Sequence, residues 1–407
     1  MRIDGNQVRR AVLAALLLSA FTGIAAADTT PLHGESADGV LLFASDDGRF
    51  KWSLDGRVNL DGLFFVEDKN PLGDGVQLRR ARLALKTVLW GDWYAEMDVD
   101  FVEEATAMKD VYLRYDNLFN RQGYVRVGNF REPFGLEENT SSRNIQFQER
   151  SQATDGFVPG RKMGLEVARF APRWRAAAGV FGPDITEFET ENDDMSWNVT
   201  GRVTANFLRD RGQVLHLGVA GSHRQPQFQS GNLRLRTRNE YHVNNYKYVD
   251  TDNISNVDTY DLFDAEFAYV NRRLRVQAEY IDVNVKRSGA LDELDFGGAY
   301  VSASCFLTDD THPYVWQDGE FGRLVPRAAS GAWEVLARYS TVDMTDLDVR
   351  GGESTALTLG LNWHANANVR VYNSFVLIDN DEDASARGSV VGNDDFQYYQ
   401  VRVLLMF

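Results

Sequence analysis

Residues 396–407 read FQYYQVRVLLMF, and this stretch decides the fold. Successive side chains of a β-strand point to opposite faces, so one face here is apolar and aromatic while the other is polar or charged. The apolar face carries Tyr399, Val401, Val403, Leu405 and Phe407, and the polar face carries Tyr398, Gln400 and Arg402. This alternation predicts a transmembrane β-barrel strand with one face towards lipid and the other towards water. The last strand of a soluble β-sandwich is the alternative.

The amino terminus predicts export from the cytoplasm. Arg9 and Arg10 precede the apolar run 11–21, which is too short to cross a bilayer as a helix. Small residues follow this run and are suited to cleavage before Asp28. We therefore expect residues 1–27 to be a secretory signal peptide.

The composition beyond the signal peptide fits a strand-rich membrane protein. No apolar run there approaches the roughly 20 residues that a membrane helix needs. Aromatic residues make up 12% of the chain, and the mean hydropathy is −0.36, as expected when half of each strand faces water. The net charge of −16 argues against nucleic-acid binding.

Alternation between turn residues predicts sixteen strands after a short periplasmic leader, 28–49. They lie near 50–66, 76–90, 93–102, 107–115, 123–130, 161–170, 173–181, 197–208, 213–222, 258–270, 274–285, 294–306, 331–342, 355–365, 368–378 and 395–407. The number is even, as bacterial single-chain barrels require, so we predict an all-β, 16-stranded antiparallel barrel over 50–407. Short periplasmic turns and long extracellular loops should alternate. Only 307–330 is long at periplasmic parity, which suggests a missing or misplaced strand there.

The inner face of this barrel is predicted to be charged. In the second strand the outer face carries Ala81, Leu83, Leu85 and Leu89, and the inner face carries Arg80, Arg82 and Lys86. Charges in a dry core would cost several kcal/mol per unpaired ion, so a water-filled lumen is the more favourable arrangement. A barrel of about 16 strands is wide enough to hold one.

The third long connection carries the most specific motifs of the chain. They are Gly128-Asn129-Phe130-Arg131-Glu132-Pro133-Phe134-Gly135-Leu136-Glu137, Thr140-Ser141-Ser142, Glu149-Arg150-Ser151 and Pro159-Gly160-Arg161, with further matches at Phe306-Leu307-Thr308, Gly331-Ala332-Trp333-Glu334, Ala337-Arg338-Tyr339-Ser340 and Gly360-Leu361-Asn362-Trp363. In these motifs the chain resembles the phosphate-selective porin O and P family. The resemblance runs from about Asp55 to Phe407.

The resemblance implies a trimeric 16-stranded outer-membrane channel of a Gram-negative bacterium. Its long third loop, 131–160, would fold into the lumen and narrow it, and arginines and a lysine would guide small anions, phosphate or polyphosphate, through passively. Anions need cationic donors in such a pore, and arginine pairs bidentately with phosphate. Outer-membrane lipid and lipopolysaccharide would be further partners.

Candidates for the anion pathway come from the third loop, the inner face and a later loop. They are Arg131, Arg143 and Arg150, then Arg57, Arg80, Arg82 and Lys86, and then Arg234, Arg236 and Arg238. The last three alternate with Leu233, Leu235 and Thr237, so an extended segment would present three guanidinium groups about 7 Å apart. The alternative is that they pair with acids such as Glu240 or with lipopolysaccharide.

One departure from the family weakens the expected selectivity. Family members selective for phosphate carry a lysine in the constriction, whereas 131–150 contains none and has Glu137 and Glu138 instead. Arginine can replace the charge of a lysine but not its shape or hydration. A general or weakly selective diffusion porin is therefore the alternative function.

A barrel enzyme and an adhesin are two alternative functions from other classes. A barrel enzyme would need a nucleophile and a base, but no hydrolase motif surrounds the histidines, and His216 and His364 fall in lumen phase as pore-lining polar residues. An adhesin would have a plugged, non-conducting lumen. The sequence suggests no catalytic residue, metal site or cofactor.

Overall fold

The computed structural model describes residues 32–407, apart from 38–39, 67–68, 103–106, 186–194, 209–211, 228–229 and 245. The expected signal peptide, 1–27, lies outside the described residues. Among the residues that are described, no helix is both long enough and apolar enough to cross a membrane.

Sixteen strands form one closed antiparallel barrel, as predicted. They are β3 (Lys51–Val66), β4 (Gly75–Leu89), β5 (Trp93–Asp100), β6 (Ala107–Leu118), β7 (Gly123–Arg131), β8 (Arg161–Ala171), β9 (Trp174–Phe181), β10 (Asn198–Asn206), β11 (Gln213–Arg224), β14 (Val257–Asn271), β15 (Leu274–Arg287), β16 (Leu294–Phe306), β19 (Ala332–Asp346), β20 (Val349–His364), β21 (Val369–Asn380) and β22 (Phe396–Met406). The barrel closes where β22 pairs with β3, with Arg402 opposite Asp61. We call the end of the barrel that carries the connections 132–160 and 225–256 the loop end, and the other end the turn end.

The predicted strands agree with the observed ones to within a few residues, and β20 differs most. It begins at Val349 rather than at 355, because β19 and β20 form one long hairpin whose chain reverses at Leu347, with φ 48°. Local alternation is weak around Gly351 and Gly352, so the sequence did not show this extension.

The two faces of β22 are as the opening stretch predicted. Tyr399, Val403 and Leu405 are exposed on the outer face, whereas Arg402 and Leu404 are at most 1% exposed on the inner face. Aromatic pairs line the outside at the turn end. The rings of Trp93 and Tyr115 lie 5.0 Å apart and those of Trp333 and Trp363 lie 5.7 Å apart, as in the aromatic girdle of a membrane barrel.

The predicted leader, 28–49, contains a hairpin. Its strands are β1 (Leu32–Ala37) and β2 (Val40–Ser45), and β2 pairs with β3 from Lys51 to Leu54. The pairing of β3 with β22 reaches only Arg57. The hairpin therefore extends the barrel wall beyond β22 at the turn end.

The connection 307–331 holds no barrel strand, so the expected missing strand is not found. It contains the two-stranded sheet of β17 (Tyr314–Val315) and β18 (Glu320–Phe321). This connection contacts inward-facing side chains of three strands. The Tyr314 hydroxyl lies 2.6 Å from Nδ1 of His216, Arg202 donates to the Gly319 carbonyl at 3.0 Å, and the Arg275 guanidinium lies 3.3 Å from the Phe321 ring centroid. The connection is long because it packs against the inner wall rather than turning directly.

Candidate functional site

The third long connection, 132–160, contains two short helices, α1 (Leu136–Asn139) and α2 (Gln152–Phe157). The amides of Leu136 and Glu137 both donate to the Glu279 carboxylate, at 2.6 and 2.8 Å. Arg338 donates to the Glu137 carboxylate at 3.0 Å and to the Glu149 carbonyl at 3.1 Å. Glu279 and Arg338 are buried on the inner face of β15 and β19, so this connection is held against the inside of the barrel wall.

A bulge in β4 adds a cation that simple alternation misses. Asn59 pairs with Arg80 and Leu60 with Leu78, so Arg79 is the extra residue. Both arginines therefore point inwards. An inserted residue of this kind re-aims a side chain, and bulges are common near functional sites.

Glu149 is the acceptor for these two arginines. Its carboxylate takes hydrogen bonds from Arg79 at 2.9 and 3.1 Å, from Arg80 at 3.2 Å and from Arg402 at 2.6 Å. Burial would raise the pKa of Glu149, but the guanidinium groups of Arg79, Arg80 and Arg402 outweigh it and hold that pKa well below its usual value. Glu149 is therefore charged and ties the third connection to β4 and β22.

The connection between β11 and β14, 225–256, is held on the same inner surface. It contains β12 (Arg236–Thr237) and β13 (Val249–Asp250). Glu240 accepts from Arg338 at 2.6 Å, from Ser340 at 2.6 Å and from Thr358 at 2.8 Å. The acid that sequence analysis considered as a partner of the 234–238 arginines is thus bound to β19 and β20 instead.

Two cavities beside the third connection are lined by charged side chains in the described part of the barrel. The loop-end cavity, of about 230 Å³, is lined by side chains of β4 and of the connections 132–160 and 225–256; its charged residues are Arg79, Arg80, Arg150, Arg238, Glu138, Glu149, Asp155 and Glu240. The turn-end cavity, of about 370 Å³, is lined by side chains of β4, β5, β6, β7 and β9 and of the connections 132–160 and 307–331; its charged residues are Lys86, Arg114, Arg126, Arg131, Arg175, Glu96, Asp110, Asp318 and Glu320.

The linings of the two cavities contact each other at Arg131, Glu138 and Arg150. We call this contact the neck. The carboxylate of Glu138 bridges the two guanidinium groups, with Nε of Arg131 at 2.9 Å and Nε of Arg150 at 2.8 Å. Glu138 and Arg150 line the loop-end cavity and Arg131 lines the turn-end cavity. Two positive charges thus share one negative charge, which leaves the neck with an excess positive charge.

The structure places the other predicted residues of the barrel wall and of the third connection beside acids, with one exception. Arg80 pairs with Glu149, Arg82 pairs with Asp100 at 2.7 Å, and Arg143 pairs with Asp55. Lys86 also contacts Asp55, at 2.7 Å. The exception, Arg57, is buried opposite Arg82 and makes no ion pair with any residue in the described part of the chain.

The segment 233–238 has the predicted alternation, but its three arginines have different surroundings. Leu233, Leu235 and Thr237 are buried, whereas the arginines between them are half-buried or exposed. Arg234 donates to Asp250 at 2.8 Å. Arg236 is exposed and makes no ion pair with a described residue, and Arg238 lines the loop-end cavity.

Sequence analysis missed four arginines that line the cavities, namely Arg79, Arg114, Arg126 and Arg175. Arg79 could not be found because the bulge changes the phase of β4. The other three do alternate with lipid-facing side chains along β6, β7 and β9, so a reading of the phase in every strand would have found them. Within the described ranges, no cluster of three or more His, Cys, Asp or Glu side chains could hold a metal ion.

A closed 16-stranded barrel with an apolar outside and charged internal cavities is an outer-membrane channel. Residues 52–407 match the family of phosphate-selective porin O and P, so the chain belongs to that family and is an outer-membrane porin. In outer-membrane barrels the long loops are usually extracellular and the short turns periplasmic. By this rule, the loop end is extracellular and the turn end is periplasmic.

Relatives and solved structures agree with this assignment. Porin O of Pseudomonas aeruginosa is 24% identical over 98% of both chains. The outer-membrane protein OmpT of Vibrio cholerae is similar in fold, with a TM-score of 0.56, 13% identity and coverage of 90% of this chain and 100% of that one. An anion-selective porin from Comamonas acidovorans has a TM-score of 0.51 at 13% identity, over 88% of this chain and 100% of that one.

Proposed function

We propose that the chain conducts small anions, phosphate among them, from the loop-end cavity through the neck into the turn-end cavity. The neck carries this proposal, because Glu138 is shared by Arg131 and Arg150 and cannot neutralise both. A passing oxyanion can replace the carboxylate as the ion-pair partner of either guanidinium, and it can accept a charge-assisted hydrogen bond from Nε of Arg131, which has no hydrogen-bond acceptor among the described residues. The third connection, which is tethered to the inner wall, is then the constriction of the pore.

The arginines of 225–256 supply the approach to the neck. Arg238 lines the loop-end cavity, and Arg236, two residues earlier in the chain, is exposed. Burial, with repulsion by Arg238 and Arg236, lowers the pKa of Lys247 in the same connection to about 8. Spaced cations attract an anion without holding it, because each site remains weak enough to release it.

The acids in both cavities limit the selectivity. The loop-end cavity carries four arginines beside four acids, and burial together with Arg79 lowers the pKa of His242, which also lines it, to about 3. That histidine is therefore neutral at neutral pH. We infer a modest anion preference rather than strict phosphate selectivity, with passive diffusion and no catalytic step.

The assembly and processing of the protein are also proposals. We infer a homotrimer surrounded by outer-membrane lipid and lipopolysaccharide, which the porin family and the trimer form of Vibrio cholerae OmpT support. We also infer cleavage of the signal peptide 1–27, leaving a periplasmic leader, 28–49, and the barrel domain, 50–407.

The test is the titration of inorganic phosphate against chloride current through the purified protein in a planar bilayer. Phosphate should reduce the current of the wild type at low concentration, and Arg150→Ala should weaken this block about tenfold, the loss expected for one charge-assisted contact. Arg150 also donates to the carbonyls of Glu137, Glu138 and Thr140. Arg150→Lys should restore most of the block, because it keeps the charge even where these hydrogen bonds are lost.

The matched control is Arg350→Ala, which removes an exposed arginine of β20 that pairs with Asp383 outside both cavities. It should leave the phosphate block unchanged. Equal block in wild type and Arg150→Ala would show that the neck does not bind the anion.

A further inference from the structure

The turn-end cavity is lined by arginines of the barrel wall and by two acids of a connection. Arg114, Arg126 and Arg175 project from the barrel wall, on β6, β7 and β9. Asp318 and Glu320 project from the periplasmic connection 307–331, which packs against the inner wall. These arginines and these two acids are therefore supplied by different parts of the structure and line one cavity of about 370 Å³.

The two acids of the connection have no directly bonded side-chain partner among the described residues. Neither the Asp318 nor the Glu320 carboxylate makes an ion pair or a side-chain hydrogen bond within the described part of the chain. The other two acids of the cavity are satisfied: Asp110 accepts from Arg161 at 2.6 Å, and Glu96 accepts from the hydroxyls of Tyr94 and Tyr112 at 2.8 and 2.9 Å.

The arginine side of the cavity also retains hydrogen-bonding capacity. Arg126 donates to Glu166 at 2.9 Å and Arg175 donates to the Tyr124 hydroxyl at 2.8 Å, but the Nε–H of each has no acceptor among the described residues. A buried donor without an acceptor is costly, so an oxyanion at this wall would be stabilised.

We propose that the turn-end cavity binds a small zwitterion, a phosphate monoester that also carries an ammonium group. The phosphate would face the arginines and the ammonium would face Asp318 and Glu320. This rests on the proposed function, because it assumes that the cavity lies on the solute path. An anion without the ammonium would meet unpaired carboxylates, and a simple cation would meet the arginines. The cavity has the volume of about a dozen water molecules, so it can hold an ester larger than phosphate itself.

The site should respond to pH. Burial and Asp318 raise the pKa of Glu320 to about 8, and the charges facing it from the wall are Arg131, Arg175 and Arg202. The carboxyl is thus largely protonated at pH 7 and charged at pH 9. An ammonium group prefers the charged form, so affinity for the zwitterion should rise with pH over this range.

The experiment compares two probes of the same phosphate chemistry as blockers of chloride current at pH 8. Phosphoethanolamine carries the ammonium group and ethyl phosphate does not. In the wild type, phosphoethanolamine should block at about tenfold lower concentration. Asp318→Asn combined with Glu320→Gln should abolish this difference. The single change Asp318→Asn, at an exposed side chain, should reduce it and serves if the double variant does not assemble.

The matched control is Asp309→Asn, which removes an exposed acid of the same connection outside the cavity. It should keep the full difference between the probes. Equal potency of the two probes in the wild type, or a difference that survives in the acid variants, would overturn the zwitterion site. The block by inorganic phosphate tests the proposed function separately, and the acid variants should leave that block intact or strengthen it.

Discussion

Two sets of arginines inside this barrel have the same chemistry and different surroundings. Arg202, Arg338 and Arg402 are at most 1% exposed and each pairs with at least one carboxylate at 2.6 to 2.7 Å. At the neck, Arg131 and Arg150 share one carboxylate. The fully paired arginines hold connections against the wall. Of the two sets, the neck arginines alone keep a positive charge that no carboxylate neutralises and that a solute could bind. We therefore propose that the unshared charge of the arginines in a lumen, rather than their number, sets the anion selectivity.

The largest expected effect is on stability, at a fully paired arginine. Arg402→Met removes the guanidinium group that pairs with the carboxylates of both Asp61 and Glu149. Removing one member of a buried pair costs about 3–5 kcal/mol. The free energy of unfolding, from urea titration in detergent, should fall by about this amount. The control is Arg236→Met, at an exposed arginine, which should leave the free energy of unfolding unchanged. Equal losses in the two variants would contradict the distinction between the two sets of arginines.

The next effect is on anion binding, at the neck. Glu138→Gln removes the carboxylate shared by Arg131 and Arg150, so both cations become available to the solute. Phosphate should then block chloride current at about tenfold lower concentration, the gain expected for one recovered charge-assisted contact. Glu382→Gln, an acid of a loop outside both cavities, is the control. Weaker block in Glu138→Gln would mean that the acid itself positions the anion.

A smaller effect should appear in the pH dependence. The pKa of Lys247 is lowered to about 8 by burial and by Arg238 and Arg236, and that of Glu320 is raised to about 8 by burial and Asp318. Between pH 7 and pH 9 the lysine loses a positive charge and the acid gains a negative one, so both changes lower the anion preference.

The chloride-over-potassium permeability ratio should therefore fall over this interval. Lys247→Gln and Glu320→Gln should each remove part of the fall, and the two together should remove most of it. A ratio that is flat in the wild type would contradict the assigned protonation states.

The smallest effect is expected at Arg236, which is exposed and unpaired in the described structure. Arg236→Ala removes long-range attraction but no contact in either cavity. Anion conductance should fall about twofold at low ionic strength and be unchanged near 1 M salt, because the Debye length shrinks to about 3 Å there. A loss that persists in high salt would indicate direct binding at this side chain.

Much of the fold could be predicted from the sequence, because alternation reports directly which face of a strand meets lipid. The sequence does not predict those features that depend on contacts with neighbouring strands and connections rather than on alternation. The bulge that turns Arg79 inwards depends on pairing with β3, and the length of 307–331 has its cause in contacts with His216 and Arg202. Of the predicted pathway, Arg131 and Arg150 meet at the neck, whereas the acids that neutralise Arg82 and Arg143 come from separate strands and could not be foreseen.

The most direct test is the zero-current potential of a planar bilayer that contains the purified protein and separates two KCl concentrations. We expect a sign that shows excess chloride permeability in the wild type, a smaller excess in Arg131→Gln combined with Arg150→Gln, and no change in Arg350→Ala. A potential that shows excess potassium permeability in the wild type, or an unchanged chloride excess in the neck variant, would contradict the claim that unshared arginine charge selects the solute.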